Sequence, residues 1–232
     1  MSSVTRLIVV RHGNTFNSGD VILRVGSATD IPLTEKGVQQ GNAVGRDLAG
    51  AGIKIDNIFA APLMRTMRSA QEIASHYGNI PVEKMEFLTE LDYGMDDGQP
   101  EDEIVLRLGI VESNGKIGEQ TSLDELREAG KAALKKWDSE AVLPRAWKHL
   151  ESRAAQLSRD WAEFGERVKK EFAGKTVVAV TSNGIARFSK VLLDDGGAAL
   201  GGNLKLATGA YGVYVFEDGK WQCEKWNVRP EL

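Results

Sequence analysis

The sequence predicts an α/β protein: a three-layer α/β/α sandwich built on a mostly parallel sheet with an antiparallel edge. Two observations lead to this fold class. Short β-branched runs alternate with longer stretches of helical spacing, as is typical of strand–helix–strand units. The C-terminal stretch 210–228 instead contains two runs of partial alternation around Asp218-Gly219, and this dipeptide is a hairpin signal.

Seven segments before that hairpin carry strand or helix patterns. Strands are predicted over residues 6–10, 55–61, 80–88 and 175–180, and helices over residues 34–52, 62–78 and 184–195. Thr34 followed by acidic Glu35 is typical of a helix N-terminus, where a side-chain oxygen and a negative charge meet unpaired backbone N–H groups. Pro62 at the first turn and Gly78 at the end delimit the second helix.

The stretch 98–174 contains helical patterns with polar caps and no convincing strand. We therefore predict one domain over residues 1–232, in which this stretch is a helical cap insertion. Its tryptophans, Trp137, Trp147 and Trp161, are expected to pack the helices onto the sheet rather than line a substrate pocket, because aromatic side chains bury large apolar areas.

Composition limits the classes of partner. Hydrophobic residues make up 42% of the 232 residues and charged residues 27%, which is ordinary for a globular protein. A net charge of −4 gives no broad attraction to nucleic acid or to an anionic membrane, so we expect neither as a partner. Any anionic ligand must be held by a local cluster of cations.

The N-terminal sequence limits the cellular locations to expect, and the cysteine and histidine content limits the cofactors. The apolar stretch before Arg11 is too short for a signal-peptide core or a membrane span, so we expect a cytoplasmic protein. Cys223 is the only cysteine, which excludes an internal disulfide. The three histidines form no close-spaced pair with one another or with cysteine, so we expect no metal and no other cofactor.

Three predicted parallel strands end in polar loops, with the sequences VVRHGNT, FAAPLMR and VTSNG. Ligands of open α/β sheets bind beyond the carboxyl ends of the strands, so these loops are expected to meet at one crevice. Arg11 and His12 are costly to bury unless they are paired. Two interpretations are open. Either Arg11 pairs with a sheet carboxylate and His12 caps the strand, or both residues bind a ligand. Gly13 favours ligand binding, because a glycine lets the backbone turn so that its N–H faces the ligand.

Four ordered stretches resemble motifs of the histidine phosphatase superfamily, the phosphoglycerate mutase-like enzymes. They are LIVVRHGNT, DIPLTEKGVQQG at 30–41, AAPLMRTMRSAQEIA at 60–74 and LTELDYGMDDG at 88–98. The similarity is recognisable again over residues 175–194. It implies the phosphoglycerate mutase-like form of the predicted sandwich.

The resemblance also implies a mechanism. His12 attacks phosphorus and carries the phosphoryl group, while Arg11 and Arg65 neutralise its oxygens. Glu90 protonates the leaving alcohol and then deprotonates water. Asp92 competes with Glu90 for this role, and the motif register favours Glu90.

Further phosphate ligands are expected in the same loops. Asn14, Thr15 and Asn17 can donate hydrogen bonds to phosphate, although Thr15 is equally suited to stabilising the turn. Relatives place a second histidine where this chain has Ser182. Ser182, Asn183 and the backbone N–H groups at the helix start still offer donors. Loss of the charged donor predicts a slower reaction rather than a different one.

Three functions stay open at this point. The first is a metal-independent phosphomonoesterase that hydrolyses a small phosphorylated metabolite through a phosphohistidine. The second is a mutase that returns the phosphoryl group to the same substrate, and the third is a catalytically weak phosphate-ligand binder. Arg145, Trp147 and Lys148 are conceivable substrate contacts of the cap, and the C-terminal hairpin offers an edge for a homodimer.

Overall fold

A computed structural model describes residues 4–113 and 121–232 and contains a six-stranded mixed sheet. Its strands are β1 (Thr5–Arg11), β2 (Asn57–Ala60), β3 (Val82–Lys84), β4 (Thr176–Thr181), β5 (Tyr211–Glu217) and β6 (Lys220–Val228). They are arranged in the order β3-β2-β4-β1-β5-β6. The first four are parallel, whereas β5 and β6 run antiparallel at one edge. The predicted fold class is thereby confirmed.

Helices cover both faces of this sheet. They are α1 (Glu35–Gly50), α2 (Met64–Ala74), α3 (Glu101–Glu112), α4 (Leu123–Glu140), α5 (Glu151–Glu171) and the short α6 (Asn183–Ala186). Thr34 caps α1 as predicted, because its hydroxyl accepts a hydrogen bond from the Gly37 amide at 3.1 Å. No helix of the described ranges, 4–113 and 121–232, is long and apolar enough to cross a bilayer.

Several predicted segments are shorter than expected, and two differ most. The strand predicted over 80–88 is reduced to β3, because the neighbouring strand β2 ends at Ala60. The helix predicted over 184–195 is α6 followed by a 3-10 helix, Arg187–Leu192. Side chains compete for its carbonyl groups: Arg187 Nε donates to Asn183 at 3.1 Å and Ser189 Oγ to Ala186 at 2.7 Å.

The strands contribute alternate residues to two separate hydrophobic cores. In β1, Leu7 and Val9 enter one core, while Ile8 and Val10 enter the other. The second core is closed by α1 and α2, and the first by residues of α4 and α5. This period-2 division is the physical basis of the three-layer arrangement.

The predicted cap is helical over its described residues, and residues 114–120 lie outside them. α3 and α4 cross closely at two glycines: a Cβ atom on Gly109 would lie 1.7 Å from the Leu126 carbonyl oxygen, and one on Gly130 would lie 1.9 Å from that of Val105. Trp137, Trp147 and Trp161 are all buried in the first core as expected, but Trp137, contrary to the prediction, also lines the cavity described below. The indole N–H of Trp161 donates to the Ile185 carbonyl at 3.0 Å and so fixes α5 to the segment after β4.

Candidate active site

A cavity of about 400 Å³ opens at the carboxyl ends of β1 and β4. The two strands are in register there, with Arg11 opposite Thr181, and the His12 amide donates to the Thr181 carbonyl at 3.0 Å. Six of the predicted site residues line the cavity: Arg11, His12, Asn14, Thr15, Glu90 and Asn183. Of the three strand-end loops expected to meet here, those after β1 and β4 contribute to this lining. The loop after β2, which carries Arg65, contributes none of the described lining residues, and Glu90 comes from a segment outside the three loops.

His12 is buried, and its ring has a defined tautomer. Its Nδ1 lies 2.8 Å from the Gly13 carbonyl oxygen, which can only accept, so Nδ1 carries the proton and Nε2 has the lone pair. Burial and then the charges of Arg65 and Arg11 lower the His12 pKa well below its usual value of 6.5. The imidazole is therefore neutral at neutral pH, with Nε2 able to act as a nucleophile.

The loop after β1 is held from α1 and α2. The Gly13 amide donates to Ser69 Oγ at 3.1 Å, and the Asn14 amide donates to Gln40 Oε1 at 2.7 Å. A Cβ atom on Gly13 would lie 2.1 Å from the Gly37 carbonyl oxygen, so only glycine permits this approach of loop and helix. His12 is thus fixed by both neighbouring elements.

Two guanidinium groups lie near His12. Burial lowers the pKa of Arg11 to about 10, an effect that Glu90 and Asp138 partly offset, so the group stays charged at neutral pH. Arg65, also a predicted phosphate ligand, is fully buried and lies outside the described residues that line the cavity; it donates to the carbonyls of Thr29 and Gly26 at 2.9 Å. The Nε atoms of both arginines are buried with no hydrogen-bond partner among the described residues.

Glu90 reaches the cavity because position 184 is glycine. One carboxylate oxygen accepts from the Gly184 amide at 3.1 Å and the other from the Leu91 amide at 2.9 Å. A Cβ atom at Gly184 would lie 2.0 Å from Glu90 Oε1. The competing carboxylate, Asp92, is exposed and accepts from the Gly94 amide at 2.8 Å. The geometry therefore favours Glu90 as the proton donor.

The other residues predicted to bind phosphate differ in whether they line the cavity and in which groups they contact. The Asn14 side chain accepts from the Thr208 hydroxyl, and the Asn183 side chain accepts from the Leu206 amide at 3.0 Å. Asn17 is exposed and lies outside the described residues that line the cavity; its amide donates to Asp20 at 2.7 Å. Ser182 is also outside that lining, but its Oγ is buried with no partner in the described part of the chain.

Sequence reasoning missed a group of charged residues on the cavity wall. Arg187 is buried and donates to Trp137, Asn183 and Asp138, with its guanidinium carbon 3.9 Å from the Trp137 ring centroid. Lys205 pairs with Asp138 at 2.7 Å. One signal was present in the sequence: Arg187 is a lone cation in the apolar run GIARF.

Arg24 is a second cation that no motif indicated. It forms an ion pair with Glu101 at 2.7 Å and lies 5.1 Å from the Tyr93 ring centroid. Burial opposes its charge, but Tyr93 and Glu101 outweigh that effect and raise its pKa. The Tyr93 pKa is itself raised, by burial and then by Glu90, so its hydroxyl stays protonated and can donate a hydrogen bond.

The three cap residues considered as substrate contacts lie elsewhere. Arg145 and Lys148 are exposed, and Trp147 is a core residue whose indole N–H donates to Asp96 at 2.6 Å. The neighbouring His149 is exposed beside Asp92. None of these four belongs to the described residues that line the cavity. Within residues 4–113 and 121–232, no group of three or more His, Cys, Asp or Glu side chains is placed to hold a metal ion.

Comparison with known proteins agrees with this geometry. Residues 7–109 match the model of the histidine phosphatase superfamily (branch 1). A 2,3-bisphosphoglycerate-dependent phosphoglycerate mutase of Bartonella quintana is 33% identical over 42% of this chain and 48% of its own. An uncharacterized phosphatase, PhoE of Bacillus subtilis, is 33% identical over 43% of this chain and 49% of its own. The matched segment thus spans about half the length of these relatives.

Solved structures cover nearly the whole chain. A phosphoglycerate mutase from Bacillus anthracis superposes with a TM-score of 0.71 at 21% identity, covering 97% of this chain and 94% of its own. A phosphoserine phosphatase from Entamoeba histolytica gives a TM-score of 0.61 at 22% identity, covering 96% of each chain. The fold is therefore phosphoglycerate mutase-like, and residues 7–109 of the chain are similar to the histidine phosphatase superfamily.

The depressed pKa of His12 can be tested by titration. At pH 6 we expect ¹⁵N NMR to show His12 neutral and protonated on Nδ1, while an unperturbed histidine is largely charged. Below about pH 6.5 the unfolded chain binds a proton that the native state does not. The free energy of unfolding should therefore decrease as the pH is lowered below about 6.5. The decrease should be smaller in a His12→Asn variant. A charged His12 ring at pH 6 would contradict this.

Proposed function

We propose that this protein is a metal-independent phosphomonoesterase that hydrolyses a small phosphorylated metabolite through a phosphohistidine. The observation that carries the proposal is His12: a buried, neutral imidazole with its Nε2 lone pair available, next to the half-buried Arg11 and the buried Arg65. The cavity of about 400 Å³ suits a small substrate. The superfamily and its phosphatase and mutase relatives support an enzyme of this class.

The reaction divides into two displacements. In the first, Nε2 of His12 forms a bond to phosphorus, the bond to the leaving oxygen breaks, and Glu90 gives its proton to that oxygen. In the second, water attacks phosphorus, the Glu90 carboxylate takes a proton from the water, and the P–N bond breaks. The hydrogen bonds from Gly184 and Leu91 hold the Glu90 carboxylate in position for both steps.

Unpaired donors around His12 match the needs of a phosphoryl group. Arg11 lines the cavity, and its Nε is buried without a partner among the described residues. Nε of Arg65 and the hydroxyl of Ser182 are unpartnered in the same way, although both residues lie outside the described cavity lining. A buried donor without an acceptor costs about 1–3 kcal/mol, so such donors favour an oxyanion ligand. Charge that spreads over the phosphoryl oxygens in the transition state is stabilised by such fixed donors.

A mutase-type phosphoryl transfer is the second candidate. It is favoured by the similarity to phosphoglycerate mutases in sequence and in fold. A mutase must keep water from the phosphohistidine, whereas a phosphatase must admit it. Incubation with 3-phosphoglycerate separates the two, because a mutase yields an isomeric phosphoglycerate and a phosphatase yields inorganic phosphate.

The nucleophile is tested by phosphate release from p-nitrophenyl phosphate in the presence of a chelator. We expect turnover that His12→Ala reduces by at least about a thousandfold, because the covalent intermediate can no longer form. His149→Ala is the matched control, since His149 is exposed and lies outside the cavity. Equal turnover by His12→Ala and the control would exclude this mechanism; failure of the parent chain to release phosphate would favour a phosphate-binding protein.

The role of Glu90 is tested by changing the leaving group. p-Nitrophenolate departs without a proton, whereas a simple alkoxide needs one. We expect Glu90→Gln to lower kcat/KM for an alkyl phosphate by about 10²- to 10⁴-fold, and for p-nitrophenyl phosphate by much less. Asp92→Asn serves as the control, because Asp92 is exposed and caps a turn. Equal losses on both substrates would assign Glu90 a structural role only.

The Ser182 hydroxyl is tested by separating stability from ligand binding. Ser182→Ala removes an unpaired buried hydroxyl, so we expect the free energy of unfolding to be unchanged or raised by about 1 kcal/mol. If the hydroxyl donates to phosphate, the inhibition constant for vanadate should rise about tenfold. Ser189→Ala gives the contrast: its hydroxyl is bonded to Ala186 and Tyr214, so stability should fall. Unchanged vanadate inhibition in Ser182→Ala would remove Ser182 from the site.

A further inference from the structure

A second groove of about 470 Å³ adjoins the catalytic cavity. Three side chains form part of both walls: Leu134, Asp138 and Lys205. His12 lines only the cavity, whereas Lys131 and Lys135 line only the groove. A ligand that fills the cavity and extends past Asp138 and Lys205 therefore enters a lysine-lined space.

The groove is built along one face of α4. Leu134 and Lys135 lie three and four residues after Lys131, and Asp138 follows them after four and three residues; these spacings place side chains on one helix face. At about 1.5 Å of rise per residue, Lys131 lies about 10 Å along the helix from Asp138. The next lysine, Lys136, is exposed and lies outside the described residues that line either space.

The groove is lined by more lysines than carboxylates. Asp138 already pairs with Lys205 at 2.7 Å and with Arg187 at 3.3 Å, so one carboxylate serves two cations. Lys131 pairs with Glu128 at 2.8 Å on the exposed helix surface, where such pairs contribute little. In the described part of the chain no carboxylate pairs with Lys135. The groove is thus positive in a chain whose net charge is −4.

We propose that this groove binds a second anionic group of the substrate, a phosphate or a carboxylate carried at the far end from the phosphomonoester. The proposal rests on the proposed function, because the first phosphate is taken to lie at His12. Lys135 and Lys205 bind the second group, and Lys131 extends the positive wall outward. The substrate class is then an elongated phosphomonoester with a distal anion, selected over one with an uncharged end.

The proposal is tested with synthetic substrates that differ only at the distal end. Alkanediol bisphosphates and carboxyalkyl phosphates are compared with alkyl monophosphates of matched length, over increasing chain lengths. We expect kcat/KM to favour an anionic end by about tenfold once the chain reaches the groove, and rising salt to weaken this preference. The two anionic series show whether phosphate or carboxylate is preferred. If the anionic end is not preferred at any chain length, the proposal is overturned.

Variants assign the effect to the groove. Lys135→Glu is expected to reduce the ratio of kcat/KM between bisphosphate and monophosphate about tenfold, while Lys136→Glu, the same charge change one residue along α4, leaves the ratio unchanged. The ratio is insensitive to a general loss of activity, which both substrates would share. An equal fall of the ratio in both variants would indicate long-range electrostatics and would overturn the assignment to the groove.

Failure of the proposed function can be told apart from failure of the groove. Turnover of p-nitrophenyl phosphate without any distal preference refutes the groove and leaves the phosphatase in place. If no phosphate ester is turned over, calorimetry of the bisphosphate and the matched monophosphate still measures the preference in binding. Tighter binding of the bisphosphate that Lys135→Glu abolishes would support the groove in that case, and equal binding of the two ligands would refute it.

Discussion

The electrostatic environment at the carboxyl end of β1 and β4 determines how the rest of the site can be arranged. Arg65 and Arg187 are buried there and Arg11 is half-buried, around a histidine that burial and the charges of Arg65 and Arg11 keep neutral. Cations at such positions are tolerated only where acceptors are fixed to meet them. Glu90 and the carbonyl groups of the surrounding loops provide those acceptors, and an oxyanion ligand completes the set.

That environment also explains why the backbone is so restricted near the site. Glu90 can approach only a residue without a Cβ, and Gly184 provides one; the loop that carries His12 can approach α1 only through Gly13. These contacts connect chemistry to packing, because backbone groups hold both side chains: two amides donate to Glu90, and the Gly13 carbonyl accepts from Nδ1 of His12. Preorganised donors of this kind lose little freedom when the charge of a reaction develops.

Much of this could be predicted from the sequence. Alternating strand and helix patterns predicted the layers, and the motifs identified His12 and Arg11, at the end of β1, and Glu90, in a later loop that reaches the same cavity. The far wall could not be predicted, because no motif assigned a role to Arg187 or Lys205 and only tertiary packing brings them together at Asp138. Asn17 is one residue before the position, Ser18, at which relatives place an asparagine, and a surface turn holds it away from the cavity. The shortened β3 depended on where its partner strand ends, which local pattern does not reveal.

The glycine crossing of α3 and α4 bears on how specificity can change over evolution. α4 carries Leu134, Trp137 and Asp138 into the cavity wall, and its separation from α3 is fixed by backbone contact at Gly109 and Gly130. Substitutions of the groove-lining residues of α4, such as Lys131 and Lys135, can therefore alter which ligands the groove binds without shifting the helix axis. Recognition of the distal part of a substrate can diverge between lineages in this way, while the reacting end, built on the sheet, stays the same.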